Sequence, residues 1–173
     1  MTHNQAVYYR LLLENGHPEE LTKHIDHALE TENPLSDLTL DLSLCFSDKE
    51  KLLTVLGNHI CRVNSSEIDW NGAIFNMVLS FLRSKSDTLS TEELVLLMKN
   101  LAENEDLHTD DRWFSMYIAH QDFDECASGY GNMNDFTKNL RTFLQTGTPL
   151  PLPRPEPKKS FWKKICNRLR RRT

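Results

Sequence analysis

Apolar residues recur along most of the chain at the three- and four-residue spacing of amphipathic helices. Residues 4–14 form the first such segment. Gly16 follows where a helix would end, and Pro18 stands where a second helix at residues 19–30 would begin. Further apolar stripes predict helices that cover residues 49–62, 66–84, 91–101, 110–120 and 134–145. We therefore expect a mainly helical chain.

Polar residues mark where several of these helices should begin. Ser47–Glu50 and Ser90–Glu93 both have the form of a capping box, in which the Ser and Glu side chains each accept a hydrogen bond from the other residue's amide. Ser66 and Asp110 are suitable caps for two later helices. The helix after Asp110 should place an apolar stripe on the core, formed by Trp113, Met116, Tyr117 and His120.

The segment Leu38–Leu44 alternates strictly between apolar and polar residues, as a half-buried strand does. As a helix it would be apolar nearly all round, which is typical of a central helix packed on several sides. No comparable segment is present to pair with a strand, and a lone strand would leave its backbone groups unsatisfied. The pattern favours a helix, with the strand as the alternative.

The composition changes after residue 147, where proline occupies every second position from Pro149 to Pro157. This spacing forbids a helix and favours an extended spacer of about 3 Å per residue, although it also fits a ligand for SH3- or WW-type grooves. The chain is therefore predicted to be all-α, with about eight helices that could stack as helical hairpins. Its expected parts are a domain at residues 1–147, a spacer at 148–157 and an amphipathic helical tail at 158–173.

Charge is distributed unevenly along the chain. The whole sequence has 20 Lys and Arg against 25 Asp and Glu, and eight of the basic residues lie within residues 158–173, which contain no acid. Residues 1–157 thus have 12 basic and 25 acidic residues, a net charge of −13. Such polarity concerns what the molecule contacts rather than how it folds.

Three runs of acidic residues stand out in the predicted domain. Ordinary solvated surface explains such runs, but an acidic face would also accelerate encounter with a basic protein and disfavour wrong partners. We expect a protein-binding face formed by Glu103, Glu105, Asp106, Asp110, Asp111, Asp122, Asp124 and Glu125.

The basic tail separates into two faces when its residues are placed on a helix. Cationic and apolar residues together can hold a segment at an anionic membrane. Docking on the acidic domain is an alternative, and nucleic acid is a third that has less use for the apolar face. The candidate membrane-binding residues are Phe161, Trp162, Lys163, Lys164, Ile165, Arg168, Leu169, Arg170 and Arg171.

Other candidate sites have simpler explanations. His24 and His27 are one helical turn apart and could share a metal, but the pattern favours solvent-facing histidines opposite the stripe of Leu21 and Ile25. A calcium loop that began at Asp122 would need glycine and an acid where Ala127 and Met133 stand. We expect no catalytic residue, metal or cofactor. The four scattered cysteines are expected to be reduced thiols.

A resemblance supports the helical interpretation. The stretch Asn33–Asp48, followed by Lys51–Leu56, is similar to a segment of small helical bacterial proteins of unassigned function, some of which resemble the immunity partners of polymorphic toxins. Trp113–Tyr117 and Phe136–Leu144 are similar in character to the C-terminal helices of that group. The likeness covers about residues 18–144, rests mostly on leucine spacing and includes no catalytic residue. It implies an all-helical fold that binds a protein.

Together these features predict a non-enzymatic, cytoplasmic protein-binding module, an immunity-type or regulatory inhibitor whose partner is a basic protein such as a toxin. A peripheral protein held by its tail at the inner face of the membrane is the alternative. The N-terminus lacks the order of a signal peptide, and no apolar run approaches the roughly 20 residues of a membrane span. An enzyme that uses the cluster His120–Cys126 is disfavoured.

Overall fold

Helices form the regular structure of the chain in a computed structural model that describes residues 1–62 and 64–151. Within these residues there are eight α-helices and no strand, which confirms the predicted all-α fold. The expectations for residues 152–173 lie outside the described residues. The helices are α1 (His3–Glu14), α2 (Glu19–Thr31), α3 (Asp37–Leu44), α4 (Lys49–Ile60), α5 (Phe75–Lys85), α6 (Thr91–Leu101), α7 (Asp111–Ala127) and α8 (Met133–Thr146).

Helix α1 lies between two hydrophobic cores because apolar residues occupy two of its faces. Val7 and Leu12 belong to a large core shared with α5, α6, α7 and α8. Ala6 and Leu13 belong to a smaller core shared with α2, α3 and α4. One helix thereby joins the two halves of the described chain.

Helix α3 confirms the helical interpretation of the alternating segment but corrects its predicted position. Ser36 caps the helix by accepting a hydrogen bond from the amide of Thr39. Leu42 is only 1 % exposed, whereas Leu40 and Leu44 are 41 % and 84 % exposed. The prediction of a central helix was wrong because this two-turn helix packs mainly on α2 and α4 and buries a single face.

Of the two predicted capping boxes, one is present in the structure and the other is not. Ser90 and Glu93 form the expected capping box, with nitrogen–oxygen distances of 3.2 and 2.8 Å. The helix starts at Lys49 as predicted, but the box predicted at Ser47 is wrong, since Asp48 is the capping residue and accepts the hydrogen bond from the amide of Lys51. A carboxylate next to the first helical residue replaces the hydroxyl as the acceptor.

The start of α5 also differs from the prediction. Ser66 does not cap this helix; instead Asp69 accepts hydrogen bonds of 2.8 Å from the amides of Gly72 and Ala73. These bonds open a single π-helical turn, Trp70–Ile74, which leads directly into α5. A Cβ atom at position 72 would overlap the carboxylate of Asp69, so a larger residue there would displace this cap.

The packed body continues past the residue at which the sequence suggested a boundary. Gly147 ends α8 in the left-handed conformation, with φ of 71°. Leu150, which belongs to the expected spacer, is 4 % exposed within the large core. Its amide donates a hydrogen bond of 3.0 Å to the hydroxyl of Ser115 on α7. Leu150 therefore packs against the buried side of α7, in its second turn.

The unequal burial of the α3 leucines gives a test with an internal control. We expect Leu42→Ala to lower the free energy of unfolding by about 2–5 kcal/mol, because it leaves a cavity in the smaller core. Leu44→Ala removes the same atoms from the same helix at an exposed position and should cost less than about 0.5 kcal/mol. Urea unfolding of the two variants measures both values, and equal losses would contradict the position of α3.

Candidate protein-binding surface

The predicted acidic residues lie at both ends of α7. One group comprises residues 103–111, in the connection between α6 and α7, which includes a 3₁₀ turn at Glu105–Thr109. The other comprises residues 122–125, in the last two turns of α7. At 1.5 Å per residue, Asp110 and Asp122 are separated by about 18 Å along the helix. The acids therefore form two groups rather than one cluster.

Asp110 has a structural role in the first group. Its carboxylate caps α7 by accepting a hydrogen bond from the amide of Arg112, and it accepts two more from the guanidinium at 2.9 and 2.6 Å. These side-chain hydrogen bonds lower the pKa of Asp110. The same guanidinium donates to the carbonyl of Asn71 and lies 4.5 Å from the ring centre of Phe75. The charge of Asp110 is thus neutralised and is not available to a partner.

The remaining acids of this group are exposed and form no ion pair within the described residues. Glu105 and Asp106 occupy the first turn of the 3₁₀ segment. Asp111 is the first residue of α7, where a negative charge favours the helix dipole. Glu103 borders a separate cleft of about 320 Å³ between α1 and this connection.

The second group contains one acid in an unusual environment. Burial, with a smaller contribution from nearby Glu125, raises the pKa of Asp122 to about 6. Asp124 and Glu125 are exposed. The carboxylate of Asp124 lies 3.2 Å from the ring of His120, and that of Glu125 accepts a hydrogen bond from Gln121. Asp124 and Glu125 are therefore the acids of this group that a partner could contact.

Between the two acidic groups, α7 presents aromatic side chains that the sequence analysis did not assign to a site. Tyr117 is 36 % exposed and Phe114 is half-buried. The ring of His108 lies 5.8 Å from that of Phe114 and 4.4 Å from that of Tyr117, measured between centres. A hydrogen-bond contact of 2.7 Å between Nε2 of His108 and the carbonyl of Ala102 holds this ring in place.

The expectation that Tyr117 joins the inward stripe of α7 was wrong. Trp113 and Met116 are buried, but Tyr117 lies at the edge of their face, 36 % exposed and in line with Phe114 and Gln121. The spacing of residues 114, 117, 118 and 121 is itself a helical stripe, and it was the available signal. This helix has apolar residues on two faces, so spacing alone did not distinguish them.

The exposed aromatic and acidic residues make one elongated strip along α7. Glu105 and Asp106 precede His108 at one end, and Asp124 and Glu125 follow Tyr117 by two helical turns at the other. We call this strip the α7 surface. Its members are Glu105, Asp106, His108, Phe114, Tyr117, Gln121, Asp124 and Glu125.

The histidines considered as metal ligands have other contacts. His24 is partly buried against the ring of Tyr9, at 5.0 Å between centres, and burial lowers its pKa, so the expectation that it faces solvent was wrong. His27 is exposed. No group of three or more candidate ligands in the described residues could hold a metal ion.

The cysteines in the described part of the chain form no disulfide bond. Cys45, Cys61 and Cys126 are free, and Cys166 lies outside the described residues.

The candidate membrane-binding residues from Phe161 to Arg171 also lie outside the described residues. Among residues 1–62 and 64–151, every helix is too short or too polar to cross a membrane.

No protein-family model, curated protein or solved structure matches the chain. The resemblance to immunity proteins therefore stays a prediction.

The raised pKa of Asp122 predicts an unusual dependence of stability on pH. The folded chain binds this proton near pH 6, whereas the ordinary value is 3.8. The folded state therefore holds the proton more tightly across that window, and this group increases stability as the pH falls from about 6 towards 4. Asp122→Asn removes the cost of burying the charge, so it should raise Tm at pH 7.5, with a gain that shrinks towards pH 4.5.

Thermal unfolding followed by circular dichroism at several pH values measures this gain. Glu103→Gln, which removes an exposed charge from the same protein, controls for the general effect of net charge. A gain in Tm for Asp122→Asn that is the same at pH 4.5 and pH 7.5 would contradict the environment described for this carboxyl.

Proposed function

We propose that this chain is a non-enzymatic, cytoplasmic protein-binding module, an immunity-type or regulatory inhibitor that binds a basic protein through the α7 surface. The observation that carries the proposal is the placement of the exposed Tyr117 and the half-buried Phe114 between exposed acids of the 3₁₀ segment and exposed acids near the end of α7. Aromatic residues are enriched at the centres of protein interfaces, and charged residues at their rims. The α7 surface has this arrangement.

The two kinds of residue would contribute differently to binding. Tyr117 and Phe114 offer large apolar area at positions already supported by His108, so little side-chain entropy is lost when a partner covers them. The acids at either end act over a longer range and mainly raise the rate of encounter with a basic surface. The surface therefore suits a partner with an apolar centre surrounded by Lys and Arg.

A toxin with a basic substrate groove, such as a nuclease, is the class of partner that this surface would fit best. A nuclease groove must be basic to hold its polyanionic substrate. An acidic protein that covers the groove would block substrate access by the same charge complementarity. The resemblance of residues 18–144 to small helical bacterial proteins of unassigned function, some of which resemble immunity proteins, supports the same partner class.

A charge reversal on the α7 surface tests this proposal. We expect the full-length chain to capture a basic protein from its native cells, and Glu105/Asp106/Glu125→Lys to abolish that capture. The matched control Asp26/Glu30/Glu50→Lys changes the net charge equally at exposed positions on α2 and α4 and should retain it. Equal losses in the two triple variants, or capture that neither variant affects, would contradict the proposed surface.

Kinetics with the captured protein would separate the two contributions. At low salt, the reversal of the acids should slow association by about tenfold or more, because the acids steer encounter. Tyr117→Ala should act mainly on dissociation, because it removes contact area at the centre of the surface.

Peripheral membrane binding through residues 158–173 is a second candidate function, and the sequence of the tail favours it. Each Lys or Arg near an anionic membrane contributes about 1 kcal/mol, and the apolar residues Phe161, Trp162, Ile165 and Leu169 would add burial at the headgroup boundary. This function would place the chain at the inner face of the membrane. It is compatible with protein binding by the α7 surface.

Vesicle co-sedimentation of the full-length chain tests the membrane function. Binding should require anionic lipid and should weaken in both Trp162→Ala and Lys163/Lys164/Arg168→Gln, because the apolar and cationic signals act together. Equal sedimentation with neutral vesicles, or none with anionic vesicles, would exclude this function for the isolated protein.

A further inference from the structure

We propose that residues 158–173 bind the α7 surface of their own chain, so that a protein partner or a membrane must displace them. The inference uses the surface named in the proposed function, but it does not depend on the identity or existence of a partner. It rests on the charge of the described chain, on where the described chain ends and on the composition of the α7 surface.

The two parts of the chain have opposite and large charges. Residues 1–151 contain 24 acids and 11 basic residues, since Glu156, Arg154 and the eight basic residues of the tail lie beyond them. Their net charge of −13 faces a tail charge of +8. Within the described residues, no Lys or Arg forms an ion pair with the acids of the α7 surface. These carboxylates are therefore available to the cations of the tail.

The described chain ends within a short distance of this surface. Leu150 is held against Ser115, on the buried side of α7 in its second turn, by its burial and by the hydrogen bond between its amide and the Ser115 hydroxyl. Asp124 lies nine residues beyond Ser115, or about 14 Å along the helix. The six residues 152–157 can span up to about 20 Å when extended. An extended spacer of this length can therefore pass around α7 and bring the first lysines of the tail towards the acids of the α7 surface.

The α7 surface also matches the apolar half of the tail. The exposed Tyr117 and the half-buried Phe114 offer an aromatic stripe, and the sequence of the tail has Phe161 and Trp162 among its cations. An amphipathic segment that lays its apolar residues on such a stripe would place its basic residues near the acids at both ends. A helix of 16 residues is about 24 Å long, close to the length of α7. Length, charge and apolar pattern therefore agree.

Tethering makes this contact effective even if it is intrinsically weak. A short connection raises the local concentration of one segment at the other to the millimolar range. A partner that needs the same surface would bind only the fraction of molecules in which the tail is released, so its apparent affinity would fall by that fraction. The bound tail would thereby weaken binding of a partner to the α7 surface. The α7 surface would in turn weaken binding of the tail to a membrane.

Zero-length cross-linking of the isolated full-length chain tests the contact directly. A carbodiimide joins lysine amines to carboxylates that touch them, and mass spectrometry locates the pairs. We expect Lys158, Lys159, Lys163 and Lys164 to join Glu105, Asp106, Asp124 and Glu125. The exposed acids Asp26, Glu30 and Glu50 on α2 and α4 serve as matched controls and should react at least fivefold less. An equal yield at these control acids would overturn the inference.

An isotope mixture distinguishes contact within one chain from contact between chains. When light and heavy chains are mixed at low micromolar concentration, cross-links within chains pair light with light and heavy with heavy only. A predominance of light–heavy pairs would overturn the inference, because it would assign the tail to a second copy. The yield within chains should fall severalfold in 1 M salt, where the Debye length is about 3 Å.

Charge exchange provides a second measurement that a fold defect cannot imitate. Backbone amide chemical shifts of residues 114–121 should change in Lys163/Lys164/Arg168→Glu and in Glu105/Asp106/Glu125→Lys, because each variant releases the tail. The combination of both sets restores opposite charges and should return the shifts towards those of the original chain. Failure of the combination to restore them would overturn the inference.

These outcomes are separable from those of the proposed function. A basic partner that binds the chain in the absence of any tail cross-link would support the proposed function and overturn this inference. Cross-links at the α7 surface in a chain that captures no partner would do the reverse.

Discussion

The burial of Trp113 is the constraint on which the rest of the candidate site depends. Its indole is fully buried among the rings of Trp70 and Phe75, and its N–H donates a hydrogen bond of 3.3 Å to the carbonyl of Trp70. Once this side chain points into the large core, the rotation of α7 is determined along its length. Ser115, Met116 and Ala119 are buried beside it, and Phe114 and Tyr117 lie outside this buried side, which creates the α7 surface.

The neighbouring residues strengthen the same constraint. Arg112 joins Asp110 at the start of α7 to Asn71 in the π-helical turn and lies over the ring of Phe75. Three structural elements therefore meet at the N-terminal end of α7. Removal of either ionic partner would leave the other without its counter-charge in a partly buried place, which is a costly arrangement. Asp110, which accepts three hydrogen bonds from Arg112, is therefore the predicted acid least available to a protein partner.

Some acidic residues of the chain stabilise helices, whereas others are exposed to solvent. The number of acidic residues in a segment is therefore a poor guide to a protein-binding site. Asp48, Asp69 and Asp110 cap helices, and their carboxylates accept hydrogen bonds from backbone amides. Asp122 is half-buried, with a pKa near 6. Glu105 and Glu125 lie in similar acidic runs of the sequence, but their side chains are exposed. Only the fold separates these roles, because each depends on which backbone amides or apolar groups surround the carboxylate.

Local patterns in the sequence were sufficient for the helices and for several of their ends. The apolar spacing identified every α-helix of the described residues except α3, whose pattern alternates like a strand. The capping box at Ser90 and the left-handed Gly16 were found as expected, because these features depend on neighbours within one turn. Tertiary packing decided what spacing could not: that α3 is peripheral, that Tyr117 faces outwards and that Leu150 belongs to the core. In each case the local pattern allowed more than one side of the segment to be buried. Contacts between residues distant in sequence decided which side was buried.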